Sequence, residues 1–210
     1  MTWDEITLEN GIWLVRLARE NIEHMLANGD FSHSIGPPKD TPPLLKEKAG
    51  VFCTLNLFKG GKTSLRGCIG LIEPENPLVE ALLYASRAAA FGDPRFPPLR
   101  KESEMDNIIV EVTILTPPEP IVVSQPKDLL QEVVIGKHGL IAERGYHKGL
   151  LLPQVPVEQK WDVDEFLAHT CWKAGMSFDA WTDERTKFSR FEGFIFGEKE
   201  PRGEITRKIH

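Results

Sequence analysis

The chain has 210 residues, with 25 Lys and Arg against 31 Asp and Glu. The resulting formal charge of −6 disfavours a dedicated nucleic-acid binder, which neutralises phosphates with a basic surface. Hydrophobic residues make up 41% and charged residues 27%, too apolar for a disordered chain and sufficient for one large domain or two smaller lobes.

The most apolar stretch, Leu78 to Phe91, is interrupted by Glu80 and Arg87, short of the ~18 consecutive apolar residues that a membrane span requires. The acidic start, Met1 to Glu5, lacks the basic and apolar regions of a secretory leader, so a cytoplasmic protein without a membrane segment is expected. Cys53, Cys68 and Cys171 form an odd, widely spaced set that suits reduced thiols and no disulfide framework.

Thr7 is placed to cap a helix that runs to Asn28 on an apolar stripe including Leu14, Leu17, Ile22 and Met25, with Gly29 to end it. The stretch from Phe31 to Pro43 is a proline-rich surface loop. Val51 to Phe58 and Ser64 to Ile72 read as a hairpin closed by Lys59-Gly60-Gly61-Lys62. Pro77 opens a helix that reaches Phe91, where Gly92 and Pro94 stop it, and Asn107 to Leu115 alternates as a strand.

After Pro117-Pro118 the pattern changes. A short helix is expected from Lys127, then short strands at 132–135, 139–143 and 149–152, then helices near Val157 and over Val163 to Ala174. Thr186 to Phe196 is a final strand returning to the first sheet, and the tail from Glu198 to His210 is expected to be a solvated end. These readings give an α+β chain of two lobes. The larger comprises 1–116 and 185–210, and the smaller, 117–184, is inserted into it.

Strand alternation over Ser64 to Ile72 puts Ser64, Arg66, Cys68 and Gly70 on one face and Leu65, Gly67, Ile69 and Leu71 on the core face. Two glycines weaken a strand unless something approaches closely, so Gly67 and Gly70 suggest a path beside Cys68. Arg66, two residues away, would favour the thiolate, which is the nucleophilic form. The opposing reading makes Cys68 a small buried hydrophobe with both glycines relieving crowding, as apolar neighbours indicate for Cys53 and Cys171.

Leu65-Arg66-Gly67-Cys68-Ile69-Gly70 resembles the six-residue signature of the AMMECR family. Further blocks agree in order: Phe91 to Leu99, Gly136 to Leu140, Leu151 to Val155, and Trp161-Asp162 leading to Lys173-Ala174-Gly175. The resemblance implies two subdomains, each an antiparallel sheet with flanking helices, and a cleft between them lined by the signature. Leu65, Gly67, Ile69 and Gly70 then become candidate binding residues. No biochemical activity is established for the family. Its members are often encoded beside, or fused to, Memo-like and radical-SAM-type proteins, which implies partners in a modification pathway.

Asp93 and Arg95 flank Pro94 in a stiff loop, where they could position a substrate group or satisfy local backbone and each other. Glu111 is a candidate general base if its strand face looks toward Cys68, and an ordinary outer-face carboxylate otherwise. His138 is the histidine best presented by a turn and completes a candidate Cys/His pair. His169 and Cys171 point to different helix faces, the six histidines show no ligand spacing, and neither metal nor cofactor is expected. The leading expectation is a binder of a protein or peptide segment in the cleft. The rival is an enzyme using Cys68 as nucleophile or redox thiol with Arg66, His138 or Glu111, and nucleic-acid binding ranks third.

Overall fold

The computed structural model describes residues 6–208; the acidic Met1–Glu5 segment and the tail's His210 lie outside them. Five α-helices and eight strands form among the described residues, an α+β composition. The chain divides into two compact units, one of residues 6–115 with 194–208 and the other of 116–193.

In the first unit, α1 (Leu8–Asn28) starts at a capping box between Thr7 and Asn10 and ends at Gly29 with φ 65°. Gly11 sits mid-helix because a Cβ there would lie 2.0 Å from the ring of Phe196. Strands β1 (Gly50–Lys59) and β2 (Lys62–Leu71) form the expected hairpin, and α2 (Leu78–Phe91) packs behind them. β3 (Ile108–Leu115) lies on the other side of β1, and Val51, Cys53, Leu55, Val110, Val112 and Ile114 bury one sheet face against α1 and α2.

β7 (Lys187–Glu198) belongs to both units. Its last residues lie beside β3 in the order β2-β1-β3-β7. The tail is not a solvated end: Ile205–Lys208 forms β8, paired with Ile195 to Glu198 of β7. Glu198 explains why the tail is held, for its buried carboxylate accepts from Arg19 Nη2 at 2.6 Å and Nε at 2.7 Å and from the backbone N–H of Val110 at 2.9 Å. Arg19 in turn donates to the carbonyls of Ile108 and Met105, so the ions of this core pair are saturated with partners.

In the second unit, residues 187–193 of β7 run between β4 (Glu119–Pro120) and β5 (His138–Arg144), with β6 (His147–Leu151) beyond. Helix α3 (Leu129–Glu132) stands where the first of the three short strands was expected to begin. Residues 133–137 form the turn after it, since Lys137 and His138 both donate to the carbonyl of Val134. Helices α4 (Gln154–Gln159) and α5 (Val163–Lys173) follow, and Phe166, Leu167 and Cys171 of α5 join Leu140, Ala142 and Phe188 in a separate core. Among the described residues no helix is long and apolar enough to cross a membrane.

Candidate functional site

The register of the first unit's sheet aligns three polar side chains. Cys68 of β2 is opposite Thr54 of β1, and Thr54 is opposite Glu111 of β3. They occupy the face turned away from the α1 and α2 core, because Cys53, Leu55 and Val112 point into that core. Thr54 Oγ1 donates to Cys68 Sγ at 3.2 Å, and Glu111 is paired with Lys208 of β8. Glu111 therefore does face the same side as Cys68, with Thr54 between them and an ammonium group already bound to it.

Both backbone groups of Cys68 bond outside the β1–β2 ladder, at the sheet's edge, which makes Thr54–Cys68 a non-hydrogen-bonded pair, where side chains stand closer. A loop beyond α2 takes both. Asp93 Oδ2 accepts the N–H of Cys68 at 2.9 Å, and Arg95 Nη2 donates to its carbonyl at 3.0 Å. Arg95 also grips Asp93 through Nη2 at 2.7 Å and Nε at 3.0 Å. The hydrogen bonds from Arg95, with those from the backbone of Cys68 and Arg95, hold the Asp93 carboxyl well below the usual carboxylate range against the effect of its burial. Asp93 is buried, and the Arg95 side chain keeps 53% of its exposure, so its guanidinium still reaches solvent. Asp93 and Arg95 each satisfy backbone groups and each other.

Arg66 is displaced from strict alternation. Leu55 faces Gly67 while Asn56 faces Leu65, so Arg66 is the extra residue of a β-bulge. Its Nη2 donates to the carbonyl of Pro97 at 2.6 Å. The guanidinium hydrogen-bonded to Cys68 is that of Arg95, through the backbone carbonyl. The bulge also reverses the parity of Leu65, which was expected in the core: it shares Asn56's face and is 44% exposed.

The glycines of the signature are explained by close packing of the protein on itself. A Cβ at Gly67 would stand 2.2 Å from the carbonyl oxygen of Ala89 in α2, and one at Gly70 would meet the Phe52 ring at 2.4 Å. The expected approach path is filled from these sides by helix backbone and an aromatic ring. Ile69 keeps its expected place against the first core.

His138 belongs to the second unit. It is buried, and its Nδ1 accepts the backbone N–H of Val134 at 3.1 Å, which staples the turn before β5. Burial, then Arg190 and Lys137, push its pKa down, so the neutral ring is favoured with its proton on Nε2. The three thiols differ sharply. Cys53 is pushed up by full burial and Cys171 is pushed up to about 11 by the same cause, whereas Cys68 is half-buried.

The structure thus brings Cys68, Glu111, Asp93 and Arg95 together and adds Thr54 and Lys208, which alternation alone did not select. Thr54 became visible only through register, because its neighbours Phe52 and Asn56 give it no local motif. A cavity of about 580 Å³ opens in the second unit, walled by residues such as Ile121, Leu129, Trp181 and Phe188, and no residue singled out from the sequence lines it. Among the described residues no group of three or more His, Cys, Asp or Glu is disposed to hold a metal ion.

Fold and site define an α+β protein with a half-buried cysteine on an edge strand whose main chain is clamped by an Asp–Arg loop. The chain belongs to the AMMECR1 family, whose model matches residues 15–196. It is 54% identical to Protein PH0010 of Pyrococcus horikoshii over 201 residues, 95% of each chain. It is 52% identical to Protein MJ0810 of Methanocaldococcus jannaschii over 203 residues, 97% of each. The crystal structure of uncharacterized protein PH0010 superposes with a TM-score of 0.81 at 53% identity, covering 98% of this chain and 99% of that one.

Proposed function

We propose that this chain binds a protein or peptide segment across the outer face of β1 and β2, with the Cys68 thiol as the group the segment meets. The observation that carries the reading is the contrast among the three cysteines: Cys53 and Cys171 are buried, while Cys68 is half-buried with a hydroxyl donor, Thr54, on its sulfur. The Arg95 guanidinium stands at the same residue, donating to the Cys68 carbonyl at 3.0 Å.

Binding is favoured over acyl transfer. A nucleophile that attacks a carbonyl commonly lends its own backbone N–H to the oxyanion, and at Cys68 that N–H is engaged by Asp93. Thiol exchange needs no such donor and is the second reading, supported by the Thr54 hydrogen bond. Memo-like and radical-SAM-type proteins, implied by the family resemblance, are the partners to try.

The test uses peptides carrying an N-terminal bromoacetyl group, with alkylation of each cysteine followed by mass spectrometry. Binding before reaction makes the rate at Cys68 saturate with peptide concentration and exceed the rate with bromoacetamide, while Cys53 and Cys171 stay unmodified. Equal, non-saturating rates for every peptide class, or protection of Cys68 until unfolding, would overturn the proposal.

A further inference from the structure

The second unit carries an organised aromatic surface that the reading of Cys68 does not use. The Trp161 and His169 rings stack with centroids 3.8 Å apart and planes 5° from parallel. Phe178 meets His169 edge-on at 5.0 Å, and Trp172 lies parallel to Phe178 at 6.1 Å. The last two are 61% and 48% exposed. Helical spacing accounts for part of the alignment, since Glu165, His169 and Trp172 follow one another at four and three residues along α5.

The segment that carries these rings is acidic. Between residues 160 and 179 there are four carboxylates, Asp162, Asp164, Glu165 and Asp179, against two ammonium groups, Lys160 and Lys173. Asp162 and Glu165 are held in place by a reciprocal capping box, Glu165 N to Asp162 Oδ1 at 2.9 Å and Asp162 N to Glu165 Oε2 at 3.0 Å. Asp162 and Asp179 adjoin Trp161 and Phe178 in the chain, Glu165 precedes His169 by one helical turn, and electron-rich rings on an acidic segment attract a cation that has an apolar stem. An uncharged apolar partner would bury the rings but desolvate the carboxylates without compensation, and an acidic partner would be repelled.

We propose that this strip, Trp161–His169–Phe178–Trp172, is a docking surface for a basic segment of another protein, with Arg or Lys side chains lying over Trp172 and Phe178. Charge complementarity and ring exposure select the partner class. The proposal is independent of the chemistry at Cys68.

The experiment measures fluorescence anisotropy of a labelled peptide of alternating Arg and Gly against the full chain, with citrulline replacing Arg in the control. The Arg peptide is expected to bind, with the citrulline peptide and the Trp172→Ala variant each weaker by roughly three- to thirtyfold, the range of a cation–π contact. Trp172→Phe, which keeps a ring, should retain most of the affinity and guards against a folding artefact. Absence of binding, equal binding of the citrulline peptide, or equal binding by Trp172→Ala would each overturn the proposal. Cys68 alkylation should be the same in Trp172→Ala as in the parent, so failure here leaves the Cys68 reading separately testable.

Discussion

Asp93 accepts the backbone N–H of Cys68, a residue 25 positions earlier in the chain, at 2.9 Å. Together with Arg95 on the carbonyl, this gives the edge strand two of the hydrogen bonds that a neighbouring strand would supply. The contact fixes the peptide units on both sides of the thiol, and the thiol with them.

Asp93→Asn is therefore expected to lower stability by about 1–3 kcal/mol at pH 7, the range for weakening a buried, charge-assisted hydrogen bond. Its pH dependence follows from the sign of the shift. The folded carboxyl titrates below its unfolded value near ~3.9, so its stabilisation is present above that value and is lost as pH falls through the folded pKa. Urea midpoints of the two proteins should differ most near neutrality and converge in acid. A gap that stays constant down to strong acid would show that the charge of Asp93 contributes nothing.

Gly67→Ala tests the packing account of the signature. The added methyl group would stand 2.2 Å from the Ala89 carbonyl oxygen, so β2 and α2 must separate, at a cost of about 1–3 kcal/mol typical of overpacking. The control is Gly60→Ala in the hairpin turn, where space is open but φ is +59° and the penalty is about 1–2 kcal/mol from left-handed backbone alone. Thermal melting reads both losses, and Cys68 alkylation distinguishes them, because only the Gly67 change should alter it.

The Arg19–Glu198 pair joins α1 to the end of β7 inside the first core. Removing one ion leaves the other buried without its partner, so Arg19→Met and Glu198→Gln should each lose about 3–5 kcal/mol. The double variant should lose less than the sum. Denaturant unfolding of the four proteins closes the cycle, and strict additivity would mean that the two ions are not coupled.

His138 supplies the opposite titration. Its folded pKa is depressed by burial and by Arg190 and Lys137, so below the unfolded value of about 6.5 the unfolded chain takes up a proton that the folded chain refuses. Its contribution to stability should therefore fall as pH drops from 7.5 to 5. His138→Gln keeps an acceptor for Val134 and should show a shallower decline over that interval. An unchanged slope in unfolding midpoints would place the titration elsewhere.

Much of this protein was legible in the sequence because it is local. Helix α1 is bounded by its own cap and glycine, the hairpin by its Gly60-Gly61 turn, and the cores by the periodicity of their apolar residues. The signature strand named the family, and the contrast between Cys68 and the other two cysteines could be read from their neighbours.

What the sequence could not decide was register and long-range pairing. A single bulged residue, Arg66, moved Leu65 to the outer face, since strand alternation has a period of two and one extra residue inverts it. Thr54 and Cys68 meet because β1 and β2 pair at that position. Glu198 and β8 are held because Arg19, far away in sequence, offers the buried charge that a solvated tail would lack. Composition and periodicity specify which residues seek burial or a partner; only the folded chain specifies which partner each one finds.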